Sequence, residues 1–234
     1  MGYKPAGVQT GSVAGNKDGF EGFLIFEHAL RSAPQAKPIN GPRVFQDKRQ
    51  LLETTNAHLG QIGRIILDSL SRSLQLTGDK NLASHPRGDE VGHIPHTDIG
   101  SSSMVFSDVP GLQVYHHREK NWMFIVPRPG RMICNIGDSA EFLSRNVLRS
   151  SLHRVIPHHT QRHKVKLTVV YLMRPPETDT VFVDRDGKEW RSVDWHNKKN
   201  RLFAKILDSQ ASNTALTGRN IEVDLWNEQD QAHL

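Results

Sequence analysis

The spacing of apolar residues changes along the chain, and the changes mark out its parts. Between Asp47 and about Leu76, the residues Leu59, Ile62, Ile66, Leu70 and Leu74 recur at steps of three and four. That spacing predicts a long amphipathic helix with these residues on the face turned to a sheet. From His96 to Arg174 the apolar residues come instead in short β-like runs: SSSMVF, LQVYHH, WMFIVP, RMICNI, SSLHRVIP and KLTVVYLM. Turn formers such as DVPG, PRPG and IGDS separate them, and no regular alternation of strand with helix is visible. Such punctuation predicts an antiparallel sandwich or barrel of the jelly-roll kind. Past Pro176, TVFVDRDGKEW reads as a hairpin turning at Asp186-Gly187. Asp194 then reads as the N-cap of a last helix whose Trp195, Leu202 and Ile206 face inward. The first 46 residues are rich in Gly and Pro and predict extended loops, in which GFLIF forms a strand or a helical turn. The expected fold is mostly β with flanking helices, the long helix and the C-terminal helix packing outside the sheets.

Composition narrows the partners. A chain of 234 residues, 36% apolar and 24% charged, fits one globular domain spanning 1–234. The opening MGYKPAGVQTGSVAG lacks the apolar centre of a secretory signal, and no window nears the roughly 18 apolar residues of a membrane span. The expectation is a soluble cytoplasmic protein without a membrane partner. A net charge of +5 would suit an anionic partner, but the basic residues are scattered among 25 acidic ones. The densest clusters, RHKVK and WHNKKNR, are short, so no nucleic-acid partner is expected. The lone Cys134 has no internal disulfide partner, and its apolar run RMICNIGD predicts a buried, inert thiol. Thirteen histidines direct attention to metals, although His116, His117, His158 and His159 read as surface loop residues.

The chemistry concentrates in HIPHTDIGSSSMVF. On a strand, side chains two apart share a face, so His96 and Asp98 could bind one ion, with a third ligand from elsewhere. Two histidines and one carboxylate leave open positions on iron(II) for an organic cosubstrate and dioxygen. By themselves the residues make a weak signal and favour a loop aspartate beside a solvent-facing histidine. His153 sits in another apolar run, where a histidine costs free energy unless it is hydrogen-bonded or bound.

The stretch from GHIPHTDIGSSSMVF through VPGLQV, PRPG and NIGD to LRSSLHRVIP resembles the core of the iron(II)/2-oxoglutarate-dependent dioxygenases. The likeness is to the branch related to isopenicillin N synthase, above all to fungal members of secondary metabolism. It runs from about Gly2 to Arg219, with GYKPAG and KDGFEGF upstream and DGKEWRSVDWHNKKNRLF downstream. The resemblance implies a double-stranded β-helix with its core at 77–177, and iron(II) held by His96, Asp98 and His153. It also implies 2-oxoglutarate and dioxygen as cosubstrates. The expected reaction is hydroxylation, desaturation or cyclisation of a small organic natural-product intermediate. Relatives anchor the far carboxylate of 2-oxoglutarate with an Arg-x-Ser pair. The matching positions here are Lys166 and Thr168, and a shift of register would offer Arg162 or Lys164 instead. Asn146 stands where relatives often carry glycine, and asparagine tolerates the left-handed turn. Thr77 to Pro95 has neither the tyrosine nor the alternating run that relatives place before the first metal histidine, and an N-terminal section is absent. These departures keep a second reading open, a non-catalytic relative with a binding or regulatory role. The substrate's identity and the oligomeric state are left undetermined.

Overall fold

The computed structural model describes residues 2–8, 19, 21–25, 27–30, 41–77, 82, 95–156, 158, 166–175, 180–203 and 214–217. In the N-terminal part, β1 (Gly2–Lys4) pairs antiparallel with β2 (Gly22–Leu24), so GFLIF contributes a strand. Two short helices, α1 (Glu27–Leu30) and α2 (Arg43–Asp47), lead into the long helix α3 (Arg49–Ser73).

The buried stripe of α3 is Leu59, Gly60, Gly63, Leu67 and Ser71. Ile62, expected on that face, is 39% exposed, while Ile66, Leu70 and Leu74 are half-buried. Close approach explains the rotation. A Cβ on Gly63 would lie 2.2 Å from Met173 Sδ and 2.7 Å from Met104 Cε. The helix therefore comes closest to the sheet at Gly63, with Leu59 and Leu67 buried on the same stripe. Ser71 completes the seam by donating to the Leu67 carbonyl and accepting from the amide of Leu82, both at 2.8 Å.

Each of the six β-like runs supplies one strand: β3 (Ser102–Ser107), β4 (Leu112–His116), β5 (Asn121–Phe124), β6 (Ile133–Ile136), β7 (His153–Val155) and β8 (Thr168–Met173). They form two antiparallel sheets, ordered β6-β3-β8 and β5-β4-β7, the two walls of a double-stranded β-helix or jelly roll. Helix α4 (Asp138–Leu143) interrupts the strands between β6 and β7. The expected hairpin is β9 (Val181–Val183) with β10 (Glu189–Arg191). Gly187 at its turn has φ 80°, a conformation for which glycine has no steric cost. Asn146 takes the left-handed conformation expected of it, φ 63°.

Helix α5 (Ser192–Phe203) begins two residues before the expected N-cap, and Asp194 lies in its first turn, accepting from Arg191 at 2.8 and 3.2 Å. Trp195 and Leu202 are buried as predicted, and Ile206 falls outside the described residues. A last short helix, α6, covers Thr214–Thr217. None of the described helices is long and apolar enough to cross a membrane.

Strand register sorts the residues into faces. In the first sheet Ser103, Val105 and Ser107 share a face with Leu172, Val170 and Thr168 of β8 and with Asn135 and Ile133 of β6. The opposite face carries Met104, Tyr171 and Met173, buried beneath α3. In the second sheet Leu112, Val114, Val155 and His153 lie together, and Gln113, Tyr115, Trp122 and Arg154 occupy the other side, all buried. The main core joins α3, α4 and α5 to the back of the first sheet through Leu59, Leu67, Phe142, Met173, Trp195 and Leu202. Cys134 corrects the expectation of a buried thiol, since it is exposed. It shares a face with Met104, but it sits on β6, an edge strand in the described sheet, and α3 packs on β3 and β8.

Candidate active site

His96 enters the second sheet through an isolated antiparallel bridge to His153, with both N–H···O bonds at 2.9 Å. The bridge sets the two imidazoles side by side, ring centroids 4.3 Å apart. The strand expected to run on through Asp98 stops there, and β3 starts at Ser102. Other elements take up the intervening backbone. The amide of Asp138 donates to the Asp98 carbonyl at 2.8 Å, that of Ser139 to Ile99 at 3.2 Å and Gly100 at 3.1 Å, and that of Ser101 to Met173 at 2.7 Å. Gly137 permits this contact, because a Cβ there would stand 2.3 Å from the Gly100 carbonyl oxygen. The loop between the first two candidate ligands and β3 is thus clamped by the start of α4 and the end of β8.

One ligating atom from each of His96, Asp98 and His153 falls within 4.8 Å of the others. Asp98 Oδ1 lies 3.5 Å from His96 Nε2 and 3.7 Å from His153 Nε2. Its other oxygen, Oδ2, accepts from Ser103 Oγ at 2.5 Å and Asn135 Nδ2 at 2.6 Å. His153 Nδ1 lies 2.9 Å from the Ser151 carbonyl. A carbonyl only accepts, so Nδ1 carries the proton and the Nε2 lone pair points at the centre. Burial lowers the His153 imidazole to about 4, the neighbouring His96 pushing the same way against Asp98 and Ser151, so it is neutral at physiological pH. Burial alone would raise the Asp98 carboxyl, but His153, His96 and Ser103 outweigh it and hold the group well below the usual carboxylate range. A neutral imidazole and a carboxylate held ionised are the protonation states that metal binding requires. The donor set of two nitrogens and one oxygen suits a divalent first-row ion with positions left open.

Thr168 stands on the face of the first sheet that carries Ser103, and Lys166 precedes β8 by two residues. Thr168 pairs with Ser107, and Lys166 Nζ donates to Ser107 Oγ and, at 3.3 Å, to the Val109 carbonyl. Burial lowers the Lys166 ammonium, opposed by nearby Asp108. Arg162 and Lys164 lie outside the described residues, as does the stretch from Thr77 to Pro95 except Thr77, Leu82 and Pro95. Sequence reasoning missed Ser103 and Asn135, which grip Asp98. For Asn135 the signal was a polar residue in the apolar run RMICNI, whereas nothing local singles out Ser103 from its neighbours Ser101 and Ser102. It also missed a buried charged cluster beneath the metal loop. There Asp138 meets Lys199 at 2.5 Å and Arg185 at 3.4 Å, and Glu141 meets Arg185 at 2.8 Å and Ser150 Oγ at 2.6 Å.

Residues 74–175 match the family model of the 2OG-Fe(II) oxygenase superfamily. The chain is 30% identical to the 2-oxoglutarate-dependent dioxygenase FG08081 of Gibberella zeae, a match covering 93% of this chain and 70% of that protein. It is 29% identical to the 2-oxoglutarate-dependent dioxygenase ecdG of Aspergillus rugulosus, over 88% of this chain and 67% of the relative. Among solved structures, a 2OG-Fe(II) oxygenase family protein from Caulobacter crescentus superposes with a TM-score of 0.61 at 21% identity, covering 86% of this chain and 75% of that one. The chain belongs to the iron(II)- and 2-oxoglutarate-dependent dioxygenases. It is an oxidoreductase that uses ferrous iron, 2-oxoglutarate and dioxygen.

Proposed function

We propose that His96, Asp98 and His153 hold the ferrous ion and that Lys166 and Thr168 receive the far carboxylate of 2-oxoglutarate. The observation that carries this reading is the shared face of the first sheet. Ser103, which hydrogen-bonds Asp98, and Ser107, which meets Lys166, lie on that face with only Val105 between them. A dicarboxylate with one end at the metal and the other at the ammonium would lie along it. Bound there, ferrous iron supplies the oxidising chemistry, coupling the conversion of 2-oxoglutarate and dioxygen to succinate and carbon dioxide with oxidation of the substrate.

The chain's own part is positional. Lys166 offers charge but not the two-pronged fork of a guanidinium, and the Thr168 hydroxyl adds one donor. Ser103 and Asn135 keep Asp98 Oδ1 turned to the imidazoles. Val105, Ile133 and Leu172 from one wall and Leu112, Val114 and Val155 from the other provide apolar lining. Such lining favours a substrate that presents a hydrocarbon surface to the metal and sheds water there. A cytoplasmic setting fits a chain with one cysteine and a site for reduced iron.

The test is spectroscopic. Under nitrogen, adding iron(II) and 2-oxoglutarate should produce the visible charge-transfer band of the chelated cosubstrate, and admitting air should yield succinate. Absence of both would overturn the assignment.

A further inference from the structure

We infer that Lys199 and Thr97 are positioning residues: the ammonium of α5 grips the one residue between two metal ligands and thereby aims His96 and Asp98. Lys199 is fully buried, and its Nζ donates to Thr97 Oγ1 at 2.6 Å and to Asp138 Oδ2 at 2.5 Å. Asp138, also fully buried, receives Trp195 Nε1 at 3.1 Å and Arg185 Nη2 at 3.4 Å, while its amide holds the Asp98 carbonyl at 2.8 Å. One cation of α5 therefore reaches the metal loop twice, through the side chain of residue 97 and through the Asp138 that fixes the backbone of residue 98.

Successive side chains of an extended segment point to opposite sides. A threonine drawn toward α5 turns the residues on either side of it away from α5, toward the centre where Asp98 meets both imidazoles. The charge of Lys199 is already balanced by Asp138, so the Thr97 hydroxyl is not needed for neutrality. What it adds is direction. A valine of the same shape would fill the space without being held.

The inference rests on the proposed triad, and the experiment separates the two. Ferrous ion is titrated anaerobically into the purified full chain, and the charge-transfer band with 2-oxoglutarate is recorded at saturating metal, alongside the melting temperature without metal. If the unaltered chain takes up no ferrous ion, the triad assignment fails first. Given uptake, Thr97→Val should bind iron about tenfold more weakly with a displaced or weakened band, the magnitude usual for partners of metal ligands, while the stranded ammonium N–H lowers the metal-free melting temperature only modestly and the chain stays folded at the titration temperature. Thr97→Ser, which keeps the hydroxyl, should restore both readings. The double variant Lys199→Met with Asp138→Asn removes the ammonium without stranding a buried carboxylate, and it should show the same weakening. Wild-type affinity and band in Thr97→Val, or a lowered melting temperature with affinity retained, would overturn the inference and leave the Lys199 contact purely structural.

Discussion

The two ends of the proposed 2-oxoglutarate path are built to different tolerances. At the metal end, Asp98 is held by the Asp138 amide, Ser103 and Asn135, His96 and His153 by mutual backbone bonds, and every residue of α4 is buried. At the other end Thr168, Val169 and Val170 are exposed, and Lys166 is held by one hydroxyl and one carbonyl. The difference follows from what each end must do. A coordination sphere fails when a donor moves by a fraction of an ångström, whereas a distant carboxylate needs only a cation within reach. On the proposed assignment, a lysine at position 166 can therefore serve where the resemblance leads one to expect an arginine, whereas a change in His96, Asp98 or His153 would not be tolerated.

The largest expected effect lies at the metal end. His96→Ala should abolish turnover and iron uptake while circular dichroism shows the fold retained; full activity would show that the ligand set is wrong. Next comes the far end, where Lys166→Ala should raise the 2-oxoglutarate concentration for half-maximal rate ~10- to 100-fold, as expected for loss of a charged hydrogen bond. Lys166→Arg should stay close to wild type in the same assay, and equal behaviour of Lys166→Ala and wild type would move the anchor to Arg162 or Lys164. Asn135→Ala should weaken iron binding about tenfold while leaving the 2-oxoglutarate requirement of the iron-saturated enzyme unchanged. If both parameters moved together, the two ends would not be separable.

Acid should act on the metal end through Glu141. Burial alone would raise this carboxyl, but Arg185 and Ser150 outweigh it and hold it below its ordinary 4.5. Above 4.5 folded and unfolded chains both carry it ionised and the stabilisation is complete; below, the unfolded chain takes the proton first, and stability drains away as pH drops through the folded value. The melting temperature gap between wild type and Glu141→Gln should therefore be widest near neutrality and close in acid, and a constant gap would contradict it. The smallest effect belongs to the exposed edge. Val169→Ser should change stability by less than about 0.5 kcal/mol in denaturant melts.

What the sequence revealed depended on whether a residue's role shows in its own neighbourhood. Alternation and turn formers located all six strands of the two sheets, because each strand declares itself within a few residues. His96 and Asp98 drew attention by their two-residue spacing, but only the resemblance to the dioxygenase core implied the set His96, Asp98 and His153, because nothing local shows that residues 57 positions apart meet. On α3 the expected face was right at Leu59 and Leu70 but wrong at Ile62, because periodicity weighs bulk, while the closest approach is made at Gly63, a small residue that lets the helix come near. Cys134 was misplaced because nothing local distinguishes an edge strand from a central one. Lys199 and Asp138 are 61 positions apart, and a lysine on a polar helix reads as a solvent-facing residue until the fold brings its counter-charge beneath it.

The sheets carry their best-packed residues on the sides turned away from the metal: Met104 and Met173 beneath α3, Trp122 and Arg154 behind the second wall. Residues that would touch a guest, such as Val105, Val114 and Leu172, remain half-covered and anchor little else. Structural integrity and molecular taste are thus entrusted to opposite surfaces of the same strands. An inherited scaffold so divided can exchange its guest-facing side chains for others and accept a new molecule without risking collapse.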